Sequence, residues 1–407
     1  MGARTCFGSH VSRYLLALIF LLAGCTGQPQ SGVSSGTSPT RETVTTPPVA
    51  VNTPSAPSPS AGSANGTGSW STAGSMSTSR GGHSATLLPS GKVLIAGGNT
   101  GGFVSAGLAS TELFDPATNT WSAAAPMNRP HAGHTATLLK SGKVLVVAGR
   151  STGGDSNAAE LYDPVTNSWS SAGSIAVART SHAALLLRNG KVLVWGGFGP
   201  AGANPPAELY DPATNGWSVV PGTSAHFINV AIVLEDGRVL ALGDIQNSNF
   251  QFAGILDPDS GVVTNAARPA ISMARAVLLN SGKVLAYQNY APGDKRATEL
   301  YDPRTNTWSL ISRMSIALFG PGIVLRDGRV LVTGSAKIDE PGCGTGCPNA
   351  ELFDPLAGKW TLTKPMSNDR GEQTMTLLAD GRVLVAGGVV PPNPDTIALT
   401  EIFDPGR

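Results

Sequence analysis

Short apolar runs of four or five residues alternate with glycine-containing turns along most of this chain. Ala183–Leu187 and Val192–Trp195, for example, flank Asn189-Gly190, and similar runs flank Asp236-Gly237 and Asp327-Gly328. Asn-Gly and Asp-Gly supply the positive φ that tight hairpins require, and runs of this length are typical of strands. The pattern therefore predicts a series of β-hairpins, and no long helix-forming stretch interrupts it.

Two signatures recur seven times, at intervals of 45 to 53 residues. The first is Glu-Leu-Phe/Tyr-Asp-Pro, with two weaker copies, and its prolines are Pro116, Pro164, Pro212, Pro258, Pro303, Pro355 and Pro405. The second is Gly-Lys/Arg-Val-Leu, which starts at Gly91, Gly142, Gly190, Gly237, Gly282, Gly328 and Gly381. Each repeat predicts four strands: a hairpin a–b around the second signature, strand c on the first, and strand d opening with a tryptophan. A period near 50 is typical of propeller blades and longer than that of helical repeats.

The repeats resemble kelch repeats. The shared features are glycine pairs after strand b (Gly97-Gly98, Gly196-Gly197, Gly387-Gly388), tryptophans in strand d (Trp121, Trp169, Trp217, Trp308, Trp360), the methionines Met127, Met314 and Met366, and Arg-x-x-His before strand a (Arg80–His83, Arg179–His182). The resemblance covers residues 69–407 and implies an all-β fold, a seven-bladed kelch β-propeller similar to the central domain of galactose oxidase. The fourth repeat departs from the pattern with Val263 for tryptophan, and the fifth with Tyr287-Gln288 for the glycine pair.

The two ends of the repeat region carry complementary fragments of one repeat. Gly68-Ser69-Trp70-Ser71 has the pattern of a strand d with no strand before it, and Asp404-Pro405 ends a strand c with no strand after it. We therefore expect the N-terminal strand to complete the last blade, which removes open sheet edges.

The first 24 residues resemble a bacterial lipoprotein signal peptide. Arg4 and Arg13 precede an apolar run, Tyr14 to Leu22, that is too short to span a bilayer. Leu22-Ala23-Gly24-Cys25 resembles a lipobox and implies cleavage before Cys25 and lipidation of its sulfur; a plain secretory signal is the alternative. Residues 25–68, rich in Ser, Thr, Pro and Gly, predict a disordered linker. We expect an exported protein anchored to the cell envelope, on the periplasmic or cell-surface side of the outer membrane.

The charge balance and the cysteines limit the partners. With 28 basic and 27 acidic side chains, the chain lacks the basic excess of nucleic-acid-binding proteins, so we expect no nucleic acid partner. We also expect a monomer. Cys343 and Cys347, surrounded by glycines, predict a local disulfide in an oxidising compartment. A metal site there is the alternative, but no other Cys or His lies near in sequence. We expect neither a metal nor another cofactor.

In an up-and-down blade, the a–b and c–d turns share one face, and the more variable b–c and d–a connections share the other. We expect a glycan or protein ligand on the second face, over the channel. The position before strand a that carries arginine in the kelch pattern is polar in five repeats (Arg80, His131, Arg179, His226, Arg370) and apolar in two (Ile271, Ala317). Arginine donors suit a carboxylate-bearing or polyhydroxylated ligand. Tyr287 and Tyr290 are expected to line the opposite, apolar side of the channel mouth.

Residues that recur in nearly every repeat are expected to serve the blade. The glutamates of strand c fall in this class and are expected to satisfy backbone or arginine groups: Glu112, Glu160, Glu208, Glu299, Glu351 and Glu401. His83, His134 and His182 are expected to tie strands together. A three-histidine metal site stays open as the alternative, although no carboxylate repeat would orient the imidazoles.

Two functions are compatible with these patterns. The first is a binding module for a glycan, a cell-envelope fragment or a protein. The second is a carbohydrate-active enzyme, resembling the kelch-type sialic-acid mutarotases, with His226 and Arg370 as candidate acid–base groups. The copper chemistry of galactose and glyoxal oxidases is disfavoured, because it needs a tyrosine crosslinked to a cysteine, and only Cys343 and Cys347 remain beside Cys25. No nucleophile elbow, phosphate loop or HExxH motif occurs.

Overall fold

A computed structural model describes residues 66–101, 107–200, 205–223, 226–245, 251–270, 273–289, 296–318, 320–335, 348–390 and 395–406. The predicted signal peptide, the predicted lipidation site Cys25, Cys343, Cys347 and Tyr290 lie outside these residues. The described residues form strands and no helix, and hence no helix long and apolar enough to cross a membrane.

The strands are numbered in chain order. They are β1 (Ser69–Thr72), β2 (Ser84–Leu87), β3 (Val93–Ala96), β4 (Thr111–Asp115), β5 (Thr120–Ala124), β6 (Thr135–Leu138), β7 (Val144–Val147), β8 (Arg150–Ser151), β9 (Gly154–Asp155), β10 (Ala158–Asp163), β11 (Ser168–Ser174), β12 (Ala183–Leu186), β13 (Val192–Trp195), β14 (Glu208–Asp211), β15 (Gly216–Val219), β16 (His226–Val233), β17 (Val239–Ile245), β18 (Gln251–Leu256), β19 (Val263–Asn265), β20 (Met273–Leu278), β21 (Val284–Asn289), β22 (Glu299–Asp302), β23 (Thr307–Leu310), β24 (Gly322–Val324), β25 (Val330–Ser335), β26 (Pro348–Asp354), β27 (Lys359–Leu362), β28 (Thr374–Leu377), β29 (Val383–Ala386) and β30 (Thr400–Asp404).

These strands form seven four-stranded antiparallel sheets, the blades, and a small hairpin, β8–β9. Blades 1 to 7 are β2-β3-β4-β5, β6-β7-β10-β11, β12-β13-β14-β15, β16-β17-β18-β19, β20-β21-β22-β23, β24-β25-β26-β27 and β28-β29-β30-β1. The first strand of each blade contacts the first strands of both neighbouring blades, and β2 contacts β28. The blades therefore close into a ring with their first strands innermost, and the seven-bladed β-propeller predicted from the sequence is confirmed.

Apolar side chains fill the space between adjacent blades, because successive strand residues face opposite sides of a sheet. Phe114 of blade 1 packs in one cluster with Ile402 of blade 7. Leu94, on the other side of blade 1, packs with Tyr162 of blade 2. Each large apolar side chain buried in this way contributes about 1.5–3 kcal/mol, so the ring is held mainly by contacts between blades.

Tryptophans of the outermost strands connect six of the seven blades to the preceding one, and blade 4 has Val263 instead. Trp169 stacks at a tilt on Tyr162 of its own blade, with 5.1 Å between ring centroids. Its indole Nε1 donates a hydrogen bond to the Ala125 carbonyl of blade 1 at 2.7 Å. Trp217 and Trp308 donate in the same way to Ala172 and Ala267, each at 2.8 Å. The repeated tryptophan is therefore a contact between blades.

The N-terminal strand completes blade 7, as the fragments at the two ends predict. β1 pairs antiparallel with β30, and Trp70 stands opposite Phe403 with 4.9 Å between ring centroids. Gly68 lies at φ 71°, and a Cβ there would stand 2.2 Å from the Phe403 ring, so only glycine fits. Arg329 of blade 6 donates to the carbonyls of Gly66 at 2.6 Å and Pro405 at 3.0 Å. One side chain thus holds both ends of the described chain.

The a–b and c–d turns lie on one face of the ring, called the short-turn face. In blade 1, Lys92 of the a–b turn pairs with Asp115 of the c–d turn at 3.3 Å. The equivalent pairs, each at 3.1 Å, are Lys143–Asp163, Lys191–Asp211 and Lys283–Asp302. The b–c and d–a connections lie on the opposite face, called the open face. This is the face on which the sequence predicts a ligand.

Candidate functional site

On the open face, the third strand of six blades carries a glutamate that holds the connection entering its blade, and blade 4 has Gly254 at this position. Glu112 accepts hydrogen bonds from the backbone N–H groups of Ser77 at 2.7 Å and Thr78 at 3.3 Å. Backbone N–H groups of the corresponding connections donate to the other five glutamates: Asn128 and Arg129 to Glu160, Ala176 to Glu208, Ala270 to Glu299, Ser315 and Ile316 to Glu351, and Ser367 to Glu401. These contacts confirm the structural role predicted for the repeated glutamates.

Four of the five polar residues predicted to bind ligand are buried partners of these glutamates. The pairs are Arg80–Glu112 at 2.8 Å, His131–Glu160 at 3.2 Å, Arg179–Glu208 at 2.6 Å, and Arg370–Glu401. Each of the four cationic or imidazole side chains has no exposed surface. Arg80 also donates to the carbonyls of Thr78, Gly97 and Ser110 and to the Ser110 hydroxyl. Burial lowers the pKa of Arg179 to about 10, although the guanidinium stays charged at neutral pH.

This arrangement differs from the sequence-based expectation of accessible donors at the channel mouth. The reason is that a carboxylate on the third strand of the same blade already accepts from each group, and burial of an unpaired charge is costly. Binding of a ligand by Arg80, His131, Arg179 or Arg370 stays a prediction that requires these pairs to open. His226 begins β16 and pairs through its backbone with Ile245; its side chain is outside the described part of the structure.

Tyr287 lies between blades 5 and 6 and is buried, with 1% exposure. A Cβ on Gly322 of blade 6 would stand 2.5 Å from its hydroxyl oxygen, so Tyr287 occupies the space that a side chain would take there. Its hydroxyl is 3.5 Å from the Gly320 carbonyl, and burial raises its pKa. Tyr287 therefore packs between two blades, and Tyr290, its predicted neighbour, is not among the described residues.

Three histidines link neighbouring blades around the inner end of the ring. The hydrogen-bonded pairs are His83 Nε2 with Thr374 Oγ1 at 3.0 Å, His134 Nε2 with Ser84 Oγ at 2.8 Å, and His182 Nε2 with Thr135 Oγ1 at 2.7 Å. Burial lowers the pKa of His83 and His182 to about 3 and that of His134 well below its usual value. The imidazoles are neutral at ordinary pH, and the strand-tying role predicted for them is confirmed.

Glu372 and Asn99 are polar groups near the channel that the sequence analysis did not single out. Glu372 Oε2 and Asn99 Oδ1 are both buried and have no hydrogen-bond partner among the described residues. Burial raises the pKa of Glu372 to about 7. A comparison of repeats offers a signal for Glu372, since the equivalent residues of blades 1 and 2 are Gly82 and Gly133.

Comparisons with known proteins agree with this fold. Residues 80–128 match the family model described as Kelch motif. Two galactose oxidase sequences of Gibberella zeae, one of them from strain PH-1, are 28% identical over 130 residues, which is 30% of this chain and 18% of theirs. The structure of a fungal alcohol oxidase of the AA5 family, in complex with copper, has a TM-score of 0.67 at 19% identity, over 83% of this chain and 76% of that one. This chain is a kelch-repeat β-propeller that resembles the central domain of galactose oxidase.

The copper of that alcohol oxidase raises the question of whether the residues described here fit such an ion. A copper centre needs several nitrogen, oxygen or sulfur donors around one point. Within the described ranges, no three His, Cys, Asp or Glu side chains lie close enough together to hold a metal ion. The Nε2 atoms of His83, His134 and His182 are engaged between blades. These side chains therefore do not fit a copper centre.

Proposed function

We propose that this chain is a binding module that takes a glycan on its open face, at the part of the channel mouth formed by blades 7, 1 and 2. The supporting observation is a floor of partly buried main chain that carries no side chains. A Cβ placed on Gly133 or Gly371 would meet no atom within 4 Å, and one on Gly82 would meet none closer than 3.6 Å. Glycines at such positions allow a ligand to approach the backbone closely.

The three glycines lie before the first strands of adjacent blades, and two of them are bonded to each other. Gly133 N donates to Gly82 O at 2.9 Å, and this hydrogen bond joins the residues just before β2 and β6. Gly371 lies three residues before β28, whose blade neighbours blade 1. A ligand on this floor would contact main chain from several blades at once.

Among the described residues, the short-turn face repeats one arrangement in most blades. Its Lys–Asp pairs recur in blades 1, 2, 3 and 5 with nearly the same geometry. The open face has connections of different lengths, including the extra hairpin β8–β9 of blade 2. Binding sites are generally built from such loops on a rigid frame.

The proposal includes an anchor outside the cytoplasm. A diacylglycerol on Cys25 and a linker of 43 residues would hold the propeller on the order of 35 Å from the membrane surface. Mass spectrometry of the mature N-terminus tests this part. An unmodified Cys25 inside a longer processed chain would remove the anchor from the proposal.

A thermal-shift screen of the purified full-length chain tests the binding function. The panel contains D-galactose, D-glucose, N-acetyl-D-glucosamine, oligosaccharides of these sugars, and sialic acid. We expect saturable stabilisation by a sugar, equivalent to about 2.7 kcal/mol at a concentration one hundred times Kd. No stabilisation by any sugar would contradict the proposal, and anomer interconversion seen by NMR would favour the sugar-converting enzyme instead.

Two leucine substitutions locate the ligand. Gly371→Leu places a side chain on the floor, where there is room for it and φ is not positive, so we expect a folded protein that binds sugar at least tenfold more weakly. Ala117→Leu is the control, since it adds a side chain of the same kind at an exposed position in the c–d turn of blade 1, on the short-turn face. Equal affinity of the two variants would move the site away from the channel mouth.

A further inference from the structure

Glu372 breaks a pattern that three other blades keep. The residue just before the His or Gln position is Gly82, Gly133 and Ser181 in blades 1 to 3, and Glu372 in blade 7. All four have φ between 55° and 60°, the left-handed region that glycine adopts freely and that strains residues with a longer side chain. Strained residues of this kind concentrate at functional sites.

The Glu372 carboxyl group lies over the neighbouring blade. A Cβ on Gly81 would stand 3.3 Å from Oε2, and one on Gly82 would stand 3.8 Å from the same oxygen. Two consecutive glycines of blade 1 thus leave the space that this carboxyl group occupies. Oε2 is buried and accepts no hydrogen bond from the described residues, which is costly for a carboxyl group unless a ligand or water supplies one.

Asn99, which belongs to the same blade as Gly82, borders that glycine as well. Its backbone is fixed by two hydrogen bonds with Gly81, at 2.9 and 3.0 Å, and its side chain is 3% exposed. Asn99 Nδ2 would stand 3.8 Å from a Cβ on Gly82, the same distance as Glu372 Oε2. Asn99 Oδ1 is buried without a hydrogen-bond partner in the described chain. Two unsatisfied polar side chains therefore flank Gly82, which has no side chain of its own.

The cations nearest in sequence do not neutralise this carboxyl group. Arg370, on the same segment, pairs with Glu401, and Arg80, on the facing segment, pairs with Glu112. His83, which follows Gly82, is bonded to Thr374 and neutral. Burial, with no opposing charge, raises the pKa of Glu372 to about 7. A substantial fraction of the group is therefore protonated at neutral pH.

We propose that Glu372 and Asn99 bind two neighbouring hydroxyl groups of a neutral sugar at the boundary of blades 7 and 1. A protonated carboxyl group and a carboxamide each offer one acceptor side and one donor side, and each hydroxyl of a diol both donates and accepts. An anionic sugar would meet an unpaired carboxyl group and no free cation among the residues named above, so a neutral ligand is favoured. This inference rests on the proposed glycan-binding function and adds the residues and the charge of the ligand.

The test replaces Glu372 by glycine, the residue that blades 1 and 2 carry. Glu372→Gly removes the strain, so we expect an unchanged or higher melting temperature together with at least tenfold weaker binding of the neutral sugars of the screen. Asn99→Ala should weaken binding to a similar extent. Glu372→Gln, which keeps one donor and one acceptor, should stay within about threefold of the parent affinity. D-glucuronate should bind more weakly than D-glucose.

Ser181→Gly is the matched control, because it removes a side chain at the same position and φ in blade 3, and we expect unchanged affinity. If a sugar binds but Glu372→Gly and Asn99→Ala leave its affinity unchanged, the recognition pair is wrong while the binding function stands. If no sugar binds the parent protein, the function itself fails. Two further outcomes would overturn the inference. If Glu372→Gly lowers the melting temperature without ligand, the pair has a structural role. If calcium chloride alone stabilises the parent protein and Glu372→Gly abolishes this effect, the pair binds a cation.

Discussion

Blades 1, 2, 3 and 7 place a cationic or imidazole side chain against the glutamate of their third strand, whereas blade 6 has Ala317 at the same position. In blade 6, Glu351 accepts from the backbone N–H groups of Ser315 at 2.9 Å and Ile316 at 2.8 Å. In blade 3, Glu208 accepts from the Ala176 backbone at 2.7 Å and also from Arg179. The glutamate does the same backbone task in both blades, and only its second partner differs.

This difference separates two requirements of the fold. Every blade needs an acceptor for the backbone donors of the incoming connection, because buried N–H groups must be paired. A guanidinium group is one way to neutralise that acceptor, and it also reaches nearby carbonyls, as Arg80 does with Gly97 at 2.7 Å. The polar and apolar sides of the ring therefore differ in how buried carboxylates are accommodated. Specificity for a ligand is better sought in groups outside this network, such as Glu372.

The largest expected effect comes from converting blade 3 to the arrangement of blade 6. Arg179→Ala leaves the carboxylate of Glu208, 1% exposed, without its cation. Removal of one partner of a buried pair typically destabilises a protein by about 3–5 kcal/mol, which urea unfolding can measure. Arg238→Ala, in an exposed turn where Arg238 pairs with Asp236, is the control and should change stability by at most about 1 kcal/mol. Equal effects would show that the buried cations are dispensable in all blades.

The second effect concerns the joint of the ring in blade 7. Trp70→Ala removes the contact with Phe403 and the hydrogen bond to Thr363 Oγ1 at 3.3 Å, so we expect a loss of about 3 kcal/mol in the free energy of unfolding. Trp121→Ala is the control. It removes the equivalent tryptophan from blade 1, whose four strands follow one another directly in the chain. Faster proteolysis near residue 66 should occur in the first variant alone. Equal proteolysis of both variants would mean that Trp70 has no special part in closing the ring.

The sequence predicts the blades well, because the features that build them recur. The turn at Gly91 and the tryptophan Trp121 reappear in most repeats, so the number of blades and the position of β1 follow from counting. The pairing of Arg80 with Glu112 is harder to foresee. Glutamate occupies its position in six repeats but arginine in only three, and the two residues lie 32 positions apart in the chain. Glu372 could not be assigned from the sequence alone. Its burial depends on glycines of another blade, close in space and almost the whole propeller away along the chain.

The third effect depends on pH. His182 has a pKa of about 3 in the folded protein and an ordinary value of 6.5, so the unfolded chain binds its proton first as pH falls. Stability from this group is full above pH 6.5 and is lost as pH falls toward 3; at pH 5 the loss is about 2 kcal/mol. Gln373 occupies the equivalent position in blade 7 and bonds Thr333 Oγ1 at 3.0 Å, so glutamine suits this site. His182→Gln should therefore be less sensitive to acid than the parent protein in urea unfolding at pH 7 and pH 5. An unchanged difference between the two pH values would contradict the neutral, buried imidazole.

The smallest effect sharpens the comparison of blades most directly. Burial alone would raise the pKa of Glu160, but hydrogen bonds from His131 and Asn128 outweigh burial, so the pKa is lowered. In Glu351 the opposite holds, because burial outweighs the two backbone donors and raises the pKa. For Glu160, stability is present above the unfolded value of 4.5 and is lost as pH falls through the lower folded pKa. For Glu351, stability is present below 4.5 and is lost as pH rises through the higher folded pKa.

Glutamine keeps an acceptor for the backbone but carries no charge. At pH 7 we therefore expect Glu160→Gln to destabilise the propeller by about 1 kcal/mol and Glu351→Gln to be neutral or stabilising by a similar amount. As pH falls through the lowered folded pKa of Glu160, the two variants should converge on the parent protein. Urea unfolding at pH 7 and at a series of lower pH values measures the difference. The same sign for both variants at pH 7 would show that His131, beside Glu160, makes no difference to how that carboxylate is held.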